Sequence, residues 1–208
     1  MIMKKFEWVF FDLDGTLVDN LEAMFSVYLA FLKKYGKIGN KKEFQELNGP
    51  NISEIVEILA KKYELNENIK EMESEYEELI SEKYLSVIPK KGTINVLKNL
   101  QKEGYKLALV TSNSKKNIND FLEKYEFTQI FDSMIFGDEV EKAKPSPEIY
   151  EQCLQKNNVE NNLVIAIEDS ENGVKSANDA GLECIKLEND FQYKKFNRVL
   201  REIENKRI

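Results

Sequence analysis

Residues 6–11, FEWVFF, form a short run that is aromatic and β-branched, without the alternation of a half-exposed strand. That pattern predicts a strand buried on both faces. From about residue 19 to residue 88 the pattern changes. LEAMFSVYLAFLKKYG, SEIVEILAKKY and EMESEYEELISEKYL carry apolar positions at helical spacing, and no strand pattern falls among them. GKIG at 36–39 and Asn48-Gly49-Pro50 punctuate this stretch as loops, and PKKG at 89–92 closes it.

Helix and strand patterns then alternate. A helix is expected over 93–103, with Ile94, Leu97 and Leu100 on one face and Gly104 as its stop. KLALVT (106–111) reads as a strand, and Ile118, Phe121, Leu122 and Tyr125 mark the next helix by their spacing. Ser146-Pro147 predicts an N-cap followed by proline at the first helical position, opening a helix to about Lys156. LVIAI (163–167) reads as a strand, 172–180 as a helix ended by Gly181, and 183–187 as a last strand. The tail FQYKKFNRVLREIENKRI reads as a surface helix. Strands alternating with helices predict an α/β fold: a Rossmann-like parallel sheet with helices on both faces. The all-helical stretch becomes an insertion capping that core. The expected division is 1–17 and 89–208 for the core and 18–88 for the cap.

Composition narrows the possibilities. The 208 residues are 42% hydrophobic and 11% aromatic, enough for a real core. Acids outnumber bases 37 to 30, for a formal charge of −7. The only arginines are Arg198, Arg201 and Arg207. No basic face for nucleic acid is expected from this balance. Cys153 and Cys184 make neither a disulfide framework nor a metal spacing. The first apolar run is too short for a signal peptide and no run is long enough to span a membrane, so a reduced, cytoplasmic protein is expected. There is no histidine, which removes Ser-His-Asp and Cys-His catalysis and His-ligated zinc together.

Ligands of an open parallel sheet bind beyond the carboxyl ends of its strands. Four polar groups fall at or near such ends: Asp12 with Asp14, Ser112 with Asn113, Lys144, and Glu168 with Asp169. Each has a plain alternative. Asp-Leu-Asp-Gly also suits a turn or calcium loop, although Gly15 stands fourth where a calcium loop needs its glycine sixth. Ser112 and Asn113 could simply cap a helix, Lys144 could be solvated, and Glu168-Asp169 could be first-turn acids. The four together favour one site, in which oxygen ligands without histidine or thiolate suit Mg²⁺.

DLDGT (12–16), TSN (111–113), KPSP (144–147) and EDS (168–170) resemble, in order, the four motifs of the haloacid dehalogenase-like hydrolase superfamily. FDSMIFGDEV is similar to its phosphoglycolate phosphatase and β-phosphoglucomutase subfamily. The resemblance implies a HAD-like core with a helical cap and a Mg²⁺-dependent phosphatase acting on a small phosphorylated metabolite. It implies Asp12 as nucleophile and Asp14 as general acid and base, with Ser112, Asn113 and Lys144 holding the phosphoryl group. Metal ligands would be Asp12, Asp169 and the Asp14 carbonyl, with Glu168 in support. Similar mutases carry a cap histidine and arginine where this chain has Met24 and Ile52, so hydrolysis is expected over mutase activity. A β-phosphoglucomutase-like phosphotransferase and an inactive phosphate-binding regulator are the alternatives. If the substrate has a second anionic group, Lys33, Lys34, Lys37, Lys41, Lys42 or the backbone near Asn48 to Asn51 is expected to meet it. Met24, Phe25 and Tyr28 are expected to pack the cap. The acidic run EMESEYEE reads as a solvated helix face, and no protein partner is predicted.

Overall fold

The structure, a computed structural model, describes residues 6–47 and 50–187; the expected tail helix lies outside them. Strand β1 (Trp8–Phe11) leads into four helices, α1 (Leu21–Lys34), α2 (Lys41–Glu46), α3 (Ile52–Tyr63) and α4 (Ile69–Tyr84). The chain returns through α5 (Thr93–Lys102) to β2 (Lys106–Val110). There follow α6 (Lys115–Lys124), α7 (Phe127–Ile130), β3 (Ser133–Ile135), α8 (Glu148–Asn157), β4 (Val164–Glu168), α9 (Glu171–Asp179) and β5 (Glu183–Lys186). No described helix is long and apolar enough to cross a membrane.

The five strands are parallel, in the order β3-β2-β1-β4-β5. Both faces are covered, which is why β1 shows no polar alternation. Val9, Phe11, Leu107, Leu109, Ile165 and Ile167 pack with α5 and α6 on one face. Trp8, Phe10, Ala108, Val110, Val164 and Ala166 pack with α8 and α9 on the other. The chain leaves β1 toward β2 and β3 on one side and later fills β4 and β5 on the other. The crevice of the sheet therefore opens at the carboxyl end of β1.

The inserted helices pack continuously with the α5–α6 face through Val27, Phe31, Met72, Ile80 and Tyr84. Their two connections run side by side: Val18 bridges Pro89, and Lys90 N–H donates to the Leu17 carbonyl at 2.9 Å. Four features differ from the sequence reading. Helices α2 and α7 and strand β3 were not expected; they have six, four and three residues, too short for a periodic signal. Helix α8 begins at Glu148, so Pro147 stands at the cap and not at the first helical position. The Ser146 hydroxyl still meets the Glu148 N–H, at 3.4 Å.

Candidate active site

Asp12 follows β1 directly and is buried. Lys144, 1% exposed, donates to Asp12 Oδ1 at 2.9 Å, to Glu168 Oε1 at 2.6 Å and to the Val110 carbonyl at 3.0 Å. Its three N–H donors are thereby all engaged. Burial alone would lower the Lys144 pKa, but the Asp12 and Glu168 charges outweigh it and hold the ammonium firmly charged. The Tyr150 hydroxyl donates to the same Glu168 oxygen at 2.8 Å, and the Tyr150 ring lies 5.3 Å from the Lys144 ammonium.

Asp12, Glu168 and Asp169 bring one carboxylate oxygen each within 4.8 Å of one another. Burial, then the Asp12 charge, pushes both Glu168 and Asp169 up from their ordinary values. Asp12 Oδ2 and Glu168 Oε2 are buried without a hydrogen-bond partner. Four acids, counting Asp14, thus face a single ammonium. An all-oxygen cluster with buried, unpartnered lone pairs fits a hard divalent cation such as Mg²⁺.

Two glycines make this crowding possible. Gly15 has φ +83°, and a Cβ there would overlap the Asp169 carboxylate. Gly173 lies inside α9, where a Cβ would overlap the Glu168 carboxylate. Gly137, just after β3, comes as close to the Ser112 carbonyl, and its N–H donates to the Asn113 carbonyl at 2.9 Å. The segment FDSMIFGDEV thus braces the loop that carries Ser112 and Asn113.

Asp14 accepts from three side chains: Asn20, Tyr84 and Asn113. Burial, then the Asp12 charge, raises its pKa from 3.8 to about 6, with the hydrogen bonds from Tyr84 and Asn20 pulling the other way. Asn20 and Tyr84 escaped the sequence reading because they lie 64 residues apart, one just before α1 and the other at the end of α4. Tyr150 and Gly173 escaped it as well. A glycine inside a helical pattern is a usable signal of close packing; a buried tyrosine is not.

Every residue proposed from the sequence reaches one place: Asp12, Asp14, Ser112, Asn113, Lys144 and Asp169 line a single cavity of about 100 Å³, with Glu168 directly behind Lys144. The stripe Met24, Phe25 and Tyr28 divides. Phe25 and Tyr28 stack at 5.9 Å and pack on Phe44 as expected, whereas Met24 lines the cavity.

Four carboxylates and a buried lysine at the switch point of a parallel sheet define the class: an α/β protein with an acid-centred site at its strand ends. The model of the family described as haloacid dehalogenase-like hydrolase matches residues 9–187. The chain belongs to that family and is a hydrolase. It is 33% identical over 182 residues to a phosphorylated carbohydrates phosphatase of Thermotoga maritima, covering 86% of this chain and 83% of that one. It is 28% identical over 178 residues to the pyrophosphatase PpaX of Halalkalibacterium halodurans, covering 84% and 80%. In fold it is similar to CbbY of Rhodobacter sphaeroides in complex with phosphate, with a TM-score of 0.76, 24% identity and coverage of 90% and 88%.

Proposed function

We propose that this protein is a Mg²⁺-dependent phosphatase that cleaves a small phosphorylated metabolite through an aspartyl phosphate at Asp12. The observation that carries this reading is the asymmetry of the Asp12 carboxylate: Lys144 holds Oδ1, while Oδ2 is buried and unpartnered. A carboxylate oxygen so fixed and so little solvated is a prepared nucleophile. The curated relatives named as phosphatase and pyrophosphatase support phosphoryl chemistry.

Asp12 attacks phosphorus, forming a carboxylate–phosphorus bond as the bond to the leaving oxygen breaks. Asp14 gives that oxygen its proton and then takes one from the water that splits the acyl phosphate. Its pKa of about 6 suits both duties near neutrality. Lys144 orients Asp12 and supplies fixed positive charge; Ser112 and Asn113 offer donors to the phosphoryl oxygens. The Asp12 and Asp169 carboxylates and the Asp14 carbonyl would hold Mg²⁺, with Glu168 in support. The metal would offset the charge gathered between nucleophile and phosphate. The core is taken as 1–17 and 89–208 and the cap as 18–88, with the paired connections at Val18 and Pro89 between them. Hydrolysis is preferred to mutase chemistry because Met24 and Ile52, both apolar, line the cavity where a sugar-binding cap would need polar groups.

The test is phosphate release from p-nitrophenyl phosphate with Mg²⁺ and with EDTA, in the native protein and in Asp12→Asn. Release that needs Mg²⁺ and disappears in Asp12→Asn is expected, with acid-stable phosphate trapped on the native protein alone. Undiminished hydrolysis by Asp12→Asn would overturn the mechanism.

A further inference from the structure

The cavity has two chemically different walls. The core wall carries all of the charge described above. The opposite wall comes from the inserted helices and is built from Leu21, Met24, Phe44, Ile52, Ile55 and Ile80, with Tyr76 beside them. Apart from Lys144, no described lysine lines this space. The inserted lysines look elsewhere: Lys34 pairs with Glu75, Lys41 with Glu22 at 2.6 Å, and Lys62 with Glu43 at 2.9 Å. Lys33 and Lys42 are exposed and Lys37 is half-exposed, none of them at the cavity.

A larger cleft of about 680 Å³ adjoins the cavity, sharing Leu21, Phe44, Asp169 and Ser170 with it. It does not supply the missing cation. Its two lysines, Lys41 and Lys186, are each paired with an acid of the same cleft, Glu22 and Glu171, and Glu46 adds a further negative charge.

From this division, and resting on the phosphatase reading above, we infer that the preferred substrate is the phosphate monoester of a small uncharged alcohol whose carbon skeleton packs against the apolar wall. Of the lysines expected to meet a second anionic group, those at 33, 34, 37 and 42 line neither space, and Lys41 lies only in the outer cleft, paired with Glu22. A second phosphate or a carboxylate on the leaving group would lie against the apolar wall, stripped of water and with no lysine there to meet it. An alkyl leaving group instead gives up apolar surface to Met24 and Ile52 at no such cost. Ile52 is the residue best placed to report on the wall. It is the first residue of α3 and lines the cavity, so a longer side chain there has the cavity as its outlet.

The experiment measures kcat/KM with Mg²⁺ for propyl phosphate, 3-methylbutyl phosphate, phosphoglycolate and pyrophosphate, with p-nitrophenyl phosphate as a general reporter. The alkyl esters are expected to exceed both anionic substrates by ~10-fold or more. Phosphoglycolate or pyrophosphate matching or exceeding the alkyl esters overturns the inference and leaves the phosphatase reading standing. Inertness of all five, the reporter included, overturns both. In Ile52→Arg the ratio of phosphoglycolate to propyl phosphate turnover should rise by ~10-fold; an unchanged ratio in a cooperatively melting variant overturns the placement of the leaving group.

Discussion

Asp14 receives its three hydrogen bonds from three parts of the chain: Asn20 before α1, Tyr84 at the end of α4, and Asn113 after β2. The Tyr84 hydroxyl also accepts from Asn20 at 3.1 Å and from Asn113 at 3.3 Å, so the donors brace one another. The general-acid role proposed for Asp14 demands a narrow range of positions, and Tyr84→Phe removes one restraint while leaving two. Its kcat for p-nitrophenyl phosphate should fall by about 10²-fold with KM little changed, read by steady-state kinetics. Gly173 makes the second residue-scale case. Alanine for glycine inside a helix ordinarily stabilises by roughly 0.5–1 kcal/mol. Here the added methyl meets the buried Glu168 carboxylate, so Gly173→Ala should destabilise by about 1–3 kcal/mol, measured by urea unfolding.

Among the elements, α2 shows how a short helix is held by its neighbours. Asn40 caps it by accepting from the Glu43 N–H at 3.0 Å. The Glu43 carboxylate, 5% exposed, accepts from Tyr28 of α1 at 2.5 Å and from Tyr63 of α3 at 2.6 Å, and pairs with Lys62. Burial pushes its pKa up, but the bonds from Tyr28, Tyr63 and Lys62 outweigh that and hold the carboxyl below its ordinary value of 4.5. Three helices are thus tied to one carboxylate, and α2 carries Phe44 into the cavity wall. Glu43→Gln should cost about 1–3 kcal/mol of stability at neutral pH. Because the folded pKa is depressed, this contribution is complete above the unfolded value. It starts to fade as pH drops under 4.5 and is lost as pH falls through the lower folded value, so native protein and variant should converge in stability only below that folded pKa.

At the scale of the molecule, the site exists only where β1, β2 and β4 end together, and the insertion closes it from the opposite side. Four carboxylates and one lysine collected there by folding leave negative charge that a cation would relieve. Mg²⁺ should therefore stabilise the folded chain, by about 2.7 kcal/mol at a hundred times its dissociation constant. Asp169→Asn should lose most of that gain, and a thermal melt with and without Mg²⁺ reads it without any turnover. An equal Mg²⁺ shift in Asp169→Asn would remove that residue from the metal site.

The parallel α/β core and the helical insertion were legible in the sequence because periodicity is a local property: a strand buried on both faces reads as an unbroken apolar run, and a helix shows its spacing. The acids after β1 and β4 and the Ser-Asn pair after β2 were legible too, since an open sheet presents its ligands at strand ends. Short elements such as α2 and β3 left no such mark. Nor did the partnership of Asn20, Tyr84 and Asn113 around Asp14, or that of Tyr150 and Gly173 around Glu168, because those contacts join residues far apart in the chain. Only the tertiary structure decided which apolar residues of the insertion pack its interior and which, like Met24 and Ile52, face the acids. Apolar positions of one helix look alike in sequence until something is packed against some and a cavity is left beside others.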